Sequence, residues 1–320
     1  MLICPNCGSR LEPGDASVLS CACGESYPRL PSGGIDFLQG LEYPDFELNE
    51  NNPAQRSTLE QESVGVNNRM KRLIAPLIRR YARASGKQAK DLAVLDCGCG
   101  SGLSVDLLHA QDIDAWGIDS GAARHRQWLG RKVPGRLLSA NALHLPFADA
   151  SFDVVLSCGL VEHIGIHEEE RDGYRSYRLQ DCEMQRLQFV RELTRVLRHD
   201  GFILIDHPNG AFPADFWHGG TSSSIRWHRP HGDMLPRFSE IAAYFRAADA
   251  SLTLTPVSPS HRLAFNKASV HWYGRIFAPV MKTWFWLMDF RPLSFLARSP
   301  LNPYLVTIAA RSLNTRWIHP

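Results

Sequence analysis

The sequence has no run approaching the roughly 20 apolar residues that a membrane-spanning helix needs. It also has no basic segment and apolar core of a secretory signal, because polar Cys4–Cys7 chemistry begins at once. Together these absences predict a soluble, cytoplasmic protein. An excess of one charge is missing too. The 35 Lys and Arg nearly balance 33 Asp and Glu, for a net charge of +2. That gives no electrostatic footprint for nucleic acid, so a nucleic-acid partner is not expected. Internal repeats and low-complexity tracts are absent, which excludes solenoids and arrays. What remains is a chain of 320 residues, 44% hydrophobic, with enough apolar mass for a real core. It is longer than one average domain and short for three.

The eight cysteines are unevenly spread. Cys97, Cys99, Cys158 and Cys182 are scattered, and Cys97 and Cys99 read as small buried apolar residues. Cys4, Cys7, Cys21 and Cys23 are packed into the N-terminus as Cys4-Pro5-Asn6-Cys7-Gly8 and Cys21-Ala22-Cys23-Gly24. In a reducing compartment such a cluster points to a metal rather than to disulfides. Four thiolates suit tetrahedral zinc, and a structural zinc supplies folding energy to a segment too small for its own core. The Cys-x-Cys spacing of the second pair is tighter than the usual two intervening residues.

Residues 1–38 are therefore expected to form a zinc-ribbon-like domain. Residues 39–65 form a polar linker or arm, and 66–320 the main domain. Met70, Leu73, Ile74, Leu77, Ile78 and Tyr81 recur at helical spacing. From Asp91 short apolar runs read as buried strands: Leu92–Leu95, Ala115–Ile118, Arg136–Leu138, Val154–Leu156 and Phe202–Ile205. A helix is predicted over Glu183–Leu197, with Gly201 just past its end as a C-terminal glycine. Alternating strands and helices imply a doubly wound, mostly parallel sheet covered on both faces. A long irregular loop, 208–233, follows. Then come a helix near Pro236–Ala248, a strand Leu252–Val257, a helical insert within 262–300, and a last strand Tyr304–Ala310.

The strongest chemical signal is Val94-Leu95-Asp96-Cys97-Gly98-Cys99-Gly100-Ser101-Gly102. A buried strand ends in an acid, and a glycine-rich turn then opens a helix. Glycines allow positive φ and close approach of a ligand, and the N–H groups of the helix start favour an anionic group. Asp96 at the strand end would face a cationic amino group. Asp119 ends the next strand, in a position that suits a carboxylate accepting from both hydroxyls of a ribose. The third glycine arrives at Gly102, one residue too early for a dinucleotide-binding Gly-x-Gly-x-x-Gly.

With Ser139-Ala140-Asn141-Ala142-Leu143-His144-Leu145-Pro146-Phe147 and Ser151-Phe152-Asp153-Val154-Val155-Leu156, the series over 91–209 resembles the class I S-adenosylmethionine-dependent methyltransferases, in their type 11 branch. The resemblance implies a seven-stranded Rossmann-like sheet and S-adenosylmethionine as cofactor. It implies that Asp96, Gly98, Gly100 and Gly102 hold the methionine part, Asp119 and Ser120 the ribose, and Asn141 and Ala142 the adenine. Gly159 and Leu160 would lie near the methyl group. The family often carries Asp where this chain has Asn141. The N-terminal segment, with Tyr27-Pro28 and Gly33-Gly34-Ile35, is similar to short zinc ribbons that precede some bacterial methyltransferases.

The acceptor is expected to be a small molecule, a glycan or a lipid-linked molecule, methylated on oxygen. Loop 208–233 concentrates imidazoles and indoles, and His163 and His207 are the candidate general bases at strand ends. The alternatives are an RNA methyltransferase that docks through its ribbon, and a non-catalytic scaffold that keeps the fold. Some relatives carry Glu-x-x-Glu-His at the turn of Glu162-His163. Gly159 replaces the first Glu here, and no catalytic metal is predicted. The charged stretch Glu168–Asp172 reads mostly as a solvated face. The aromatic segment around 270–290, with Arg275, Lys282 and Arg291, reads as a helix packed on the core or in a dimer interface, with peripheral membrane contact as the sharper alternative.

Overall fold

The structure, a computed structural model, describes residues 2–13, 17–41, 62–171, 173–218, 226–228, 234–261, 272–311 and 317–318. The N-terminal unit is a three-stranded antiparallel meander of β1 (Glu12–Pro13), β2 (Val18–Ser20) and β3 (Ser26–Pro28). Residues 42–61 of the expected arm lie outside the described residues; residues 62–69 are helical and run through a π turn, Met70–Ile74, into α1 (Ala75–Ala84). In the π turn the Ala75 N–H reaches back to Met70 O. Met70, Leu73, Ile74, Leu77, Ile78 and Tyr81 are all buried, as their spacing required.

The main domain then alternates. β4 (Ala93–Cys97), α2 (Leu103–His109), β5 (Asp114–Asp119), α3 (Ala122–Trp128), β6 (Leu137–Ser139) and β7 (Phe152–Cys158) come first. The hairpin β8 (Ile166–Arg171) and β9 (Gly173–Arg178) follows, then α4 (Cys182–Val196) and β10 (Leu197–Pro208). A small pair, β11 (Ala214–Asp215) and β12 (Arg226–Trp227), precedes α5 (Phe238–Ala248), β13 (Thr253–Val257), α6 (Trp272–Leu287) and β14 (Tyr304–Ala310). One seven-stranded sheet runs β13-β14-β10-β7-β4-β5-β6. The pairs β10·β7, β7·β4, β4·β5 and β5·β6 are parallel, while β14 runs antiparallel to both its neighbours. This is the doubly wound, mostly parallel seven-stranded sheet expected from the sequence.

Successive strand residues feed opposite layers, as the pleat demands. Leu95, Val155 and Ile203 pack with Phe189, Val190 and Leu193 of α4 and with Ile241 and Phe245 of α5. Val94, Leu156 and Leu204 pack on the other face with Leu77 and Ile78 of α1 and with Trp128. The N-terminal unit shares the first layer through Cys4, Tyr27, Ile35 and Phe37. It covers the sheet edge at β6: Ser139 N–H donates to Ile35 O (3.0 Å), Phe37 N–H to Ser139 O (2.8 Å), and the Ser139 hydroxyl to Asp36 (2.7 Å). An edge strand that would otherwise present unpaired backbone groups is thereby closed.

Two local expectations need correction. Gly201 does not cap a helix. α4 ends at Val196 with Leu197 already extended, and Gly201 lies within β10 at a register shift between Leu197 and Phe202. A Cβ there would sit 2.5 Å from Asp153 O, so the glycine allows close backbone approach. Loop 208–233 is also not wholly irregular, since Ala214 pairs with Trp227 and Asp215 with Arg226. Residues 219–225 and 229–233 of that loop lie outside the described residues.

The predicted insert before the last strand is α6 followed by a 3₁₀ turn, Arg291–Arg298. Phe285, Met288 and Ala297 form its own small core, while Ile276, Val280, Trp286, Phe290, Phe295 and Leu301 are exposed. None of the described helices is long and apolar enough to cross a membrane.

Asp153 ties the strand N-termini together. It is fully buried, accepts the Ala93 N–H (2.9 Å), and pairs with Lys87 (2.6 Å) and Arg198 (2.5 Å). Asp153→Ala leaves a buried N–H orphaned and two cations unpaired, although both side chains reach solvent. The expected loss is about 2–3 kcal/mol, read as a lower urea midpoint at unchanged slope.

Candidate active site

The carboxyl ends of β4, β5 and β7 open on one side of the sheet, where an α/β fold places its ligand. Between β4 and α2 the backbone turns through Gly98 (φ 84°), Gly100 (φ 53°) and Gly102 (φ 74°). These values explain the glycines, and packing makes two of them strict. A Cβ on Gly102 would lie 2.5 Å from Leu137 Cδ1, and one on Gly98 would lie 2.9 Å from Leu160 Cδ2. Asp119 braces the turn, accepting the Gly100 N–H (2.8 Å) and the Gly121 N–H (2.9 Å). Trp128 Nε1–H donates to Gly100 O (2.9 Å).

Asp96 is buried at the end of β4 and accepts from the Ser104 hydroxyl. Burial raises its pKa to about 6, partly offset by the positive charge of Arg69 and by Ser104. Arg69 stands in the helix that leads into the π turn, and its buried Nε has no hydrogen-bond partner among the described residues. From the same helix Glu62 pairs with Arg124 (2.7 Å) and would lie 3.2 Å from a Cβ on Gly100. The start of this helix thus lies over the glycine turn. Neither Arg69 nor Glu62 was singled out from the sequence, because a charged residue on an amphipathic helix reads as a solvated face.

Ser120 is half-buried beside Asp119. Asn141 caps its own turn by accepting the Leu143 N–H (2.9 Å), and Ala142 is buried next to it. Past β7, Gly159 (φ 71°) is exposed and Leu160 half-buried against Gly98. The cofactor residues named from the sequence thus stand at or just past the carboxyl ends of β4, β5, β6 and β7.

The two candidate bases differ. His207 is fully buried in β10, with Nδ1 against Pro208 O (2.8 Å) and Nε2 without a hydrogen-bond partner among the described residues. Burial lowers its pKa to about 4, so it is neutral. His163 is part-exposed on the turn after β7, and its Nδ1 lies 2.5 Å from Glu168. Glu168 was expected on a solvated face and is instead a partner of this imidazole. The side chains of 169–171 and residue 172 lie outside the described residues. The His163 ring lies 5.1 Å from that of His218. Buried Arg186 of α4 holds the turn from behind, donating to Glu162 O (3.3 Å), Ile164 O (3.1 Å) and Met234 O.

In the N-terminal unit Cys4 and Cys23 Sγ are 3.7 Å apart, and Cys7 and Cys21 Sγ 3.4 Å. All four sulfurs lie within 4.8 Å of one another. Tetrahedral zinc with Zn–S near 2.3 Å needs sulfurs about 3.8 Å apart, so the donor set and its spacing are compatible with zinc. Gly8 (φ 74°) and Gly24 (φ 96°) turn the two knuckles.

The seven-stranded sheet and its glycine turn form a Rossmann-like methyltransferase fold. Residues 95–205 match the family model described as a methyltransferase domain. A protein of Mycobacterium tuberculosis (strain ATCC 25618 / H37Rv), described as a probable S-adenosylmethionine-dependent methyltransferase, is 31% identical over 118 residues, 36% of this chain and 35% of that protein. An uncharacterized protein of Methanocaldococcus jannaschii is 29% identical over 116 residues, 36% of this chain and 40% of that protein. The chain thus spans half or less of the length of the curated relatives it matches. The crystal structure of the plantazolicin methyltransferase BamL, with a triazolic desmethylPZN analog and SAH, is similar at a TM-score of 0.47 and 14% identity, covering 82% of this chain and 92% of that one.

Proposed function

We propose that this protein binds S-adenosylmethionine in the mouth above β4 and β5 and transfers its methyl group to an oxygen of a small-molecule, glycan or lipid-linked acceptor. The observation that carries this reading is the positive-φ turn Gly98–Gly102 set between two strand-end acids, Asp96 and Asp119. The turn's exposed amides suit an anionic group, and the acids suit an amine and a pair of hydroxyls. Asp96 would face the amino group and Arg69 the carboxylate of the methionine part. Asp119 and Ser120 would hold the ribose, and Asn141 and Ala142 the adenine edge. Gly159 and Leu160 would border the methyl group.

When bound, S-adenosylmethionine supplies an electrophilic sulfonium methyl. The chain's own task is to align the acceptor with that carbon, which yields much of the rate, and to receive the acceptor's proton. Of the two imidazoles, His163 is the one with access to an acceptor, and Glu168 orients it. His207 is buried and neutral. In the ribbon, Cys4, Cys7, Cys21 and Cys23 would hold a structural zinc.

Calorimetric titration with S-adenosylmethionine and, separately, NADH tests the cofactor class. Saturable binding of the first alone is expected, followed by an acceptor screen over sugars, phenols and RNA. Binding of neither would favour a scaffold, and acceptance of RNA with strongly salt-dependent affinity would favour the RNA enzyme.

Asp96 also sets an expected pH dependence. Its folded pKa, raised to about 6, means that this residue's contribution to stability is present below the unfolded value and lost as pH rises through 6. Cofactor binding has the opposite slope, because an ammonium group needs the ionised carboxylate. Affinity should fall by up to about tenfold per pH unit below 6 and level off above it. Titrations between pH 5 and 8 check this, and in Asp96→Asn the Asp96-dependent slope should vanish.

A further inference from the structure

We propose that Glu162, His163 and His218 form a binding site for a divalent transition-metal cation at the carboxyl end of β7. One ligand atom from each of the three lies within 4.8 Å of the other two. Glu162 and His163 come from the turn after β7. His218 comes from the segment after β11, so the fold brings together residues that are distant in sequence.

Glu162 is the residue that most needs an explanation. It is 2% exposed, and its Oε2 has no hydrogen-bond partner among the described residues. An ionisable group so placed is costly unless something positive meets it. A cation at the point where Glu162, His163 and His218 converge removes that cost.

The imidazoles are prepared in the same sense. His163 Nδ1 lies 2.5 Å from Glu168, and His218 Nδ1 lies 2.8 Å from Asp215. Asp215 is itself fixed by the Trp217 N–H (2.9 Å) and by the Arg226 guanidinium (3.1 Å). A carboxylate on Nδ1 sets the tautomer and leaves the lone pair on Nε2, which is how outer-shell carboxylates orient metal-binding imidazoles. Arg186 holds the turn carbonyls and so positions Glu162 and His163.

Two imidazole nitrogens and one carboxylate oxygen suit Zn²⁺, Mn²⁺ or Fe²⁺ and not Mg²⁺ or Ca²⁺. Three protein ligands leave coordination positions open. A Cβ on Gly159 would lie 3.8 Å from Glu162 Oε1, so the site adjoins the turn assigned to the methyl group. There a cation would bind and polarise an acceptor hydroxyl, and His163 would serve as ligand in place of base. That role rests on the methyltransferase reading, whereas cation binding does not.

The test uses the full chain with zinc restored to its cysteines, titrated with Mn²⁺ while the electron paramagnetic resonance of free Mn²⁺ is followed. Mn²⁺ is chosen because a four-thiolate cluster discriminates against it. One saturable site per chain is expected, weakened at least tenfold in His218→Ala and in the near-isosteric Glu162→Gln. Pulsed resonance of the bound ion in the unaltered chain should show imidazole nitrogen couplings, a result that does not depend on how the variants fold. No saturable site, or a bound ion without nitrogen coupling, or undiminished affinity in both variants would each overturn the proposal. Calorimetry with S-adenosylmethionine on the same samples separates the two readings. Mn²⁺ binding without cofactor binding removes the methyltransferase reading and leaves the metal site standing.

Discussion

Asp119→Ala should weaken S-adenosylmethionine binding by on the order of 100-fold. A carboxylate that accepts from two ribose hydroxyls makes two charge-assisted hydrogen bonds, each worth about 1.5–3 kcal/mol. Losing the pair therefore costs about 3 kcal/mol or more. The structure adds a second route to the same loss, since Asp119 also receives the Gly100 and Gly121 N–H groups and so braces the turn that would cradle the methionine part. The two routes can be separated with a cofactor analogue that lacks both ribose hydroxyls. If Asp119 acts through the ribose, the analogue binds the normal protein weakly and loses little further in Asp119→Ala. If it acts only by shaping the turn, the substitution costs the same for both ligands. Unchanged affinity for S-adenosylmethionine itself would remove the ribose assignment.

The sequence was most legible where chemistry and period coincide. Tyr304–Ala310 is a strand over the expected residues, and α4 differs from the prediction by one residue at each end. Asp96, the three glycines and Asp119 could be read because a strand, an acid and a turn follow one another locally. The parts that escaped are non-local. Gly201 has the residue type of a helix cap, but its role is set by Asp153 O on a neighbouring strand. Arg69 lies on a helix whose apolar stripe is clear, and only the fold brings its charge to Asp96. Glu162-His163 is visible as a pair, whereas His218 joins it only because β10 and β11 carry the later loop back over β7. The pairing of Ile35–Phe37 with Ser139 leaves no periodic trace, since a single bridge has no repeat to detect.

That last pairing gives the cysteine cluster a consequence beyond its own unit. Cys7→Ser is expected to reduce bound zinc from about one per chain to near none, because a structural site needs all four ligands and its binding energy is folding energy. Cys7 is exposed, so the substitution leaves no core cavity and its effect can be assigned to the metal. Residues 2–41 have only short strands and a handful of apolar residues to hold them, and their amides should exchange far faster without zinc. The loss then reaches the sheet. Ser139 loses its bond to Asp36 and its two backbone bonds to Ile35 and Phe37, and Ser139 leads directly into Ala140-Asn141-Ala142, the segment assigned to the adenine. A weakening of S-adenosylmethionine binding by about 1 kcal/mol, or roughly fivefold, is the expected size for an indirect effect of this kind. The uncovered β6 edge should also make the variant more prone to self-association. Hydrogen exchange, zinc analysis and calorimetry on one preparation check all three. Full zinc retention would remove the metal assignment. Zinc loss with unchanged cofactor affinity and unchanged exchange at Ser139 would show that the ribbon and the adenine segment are energetically independent despite their contact.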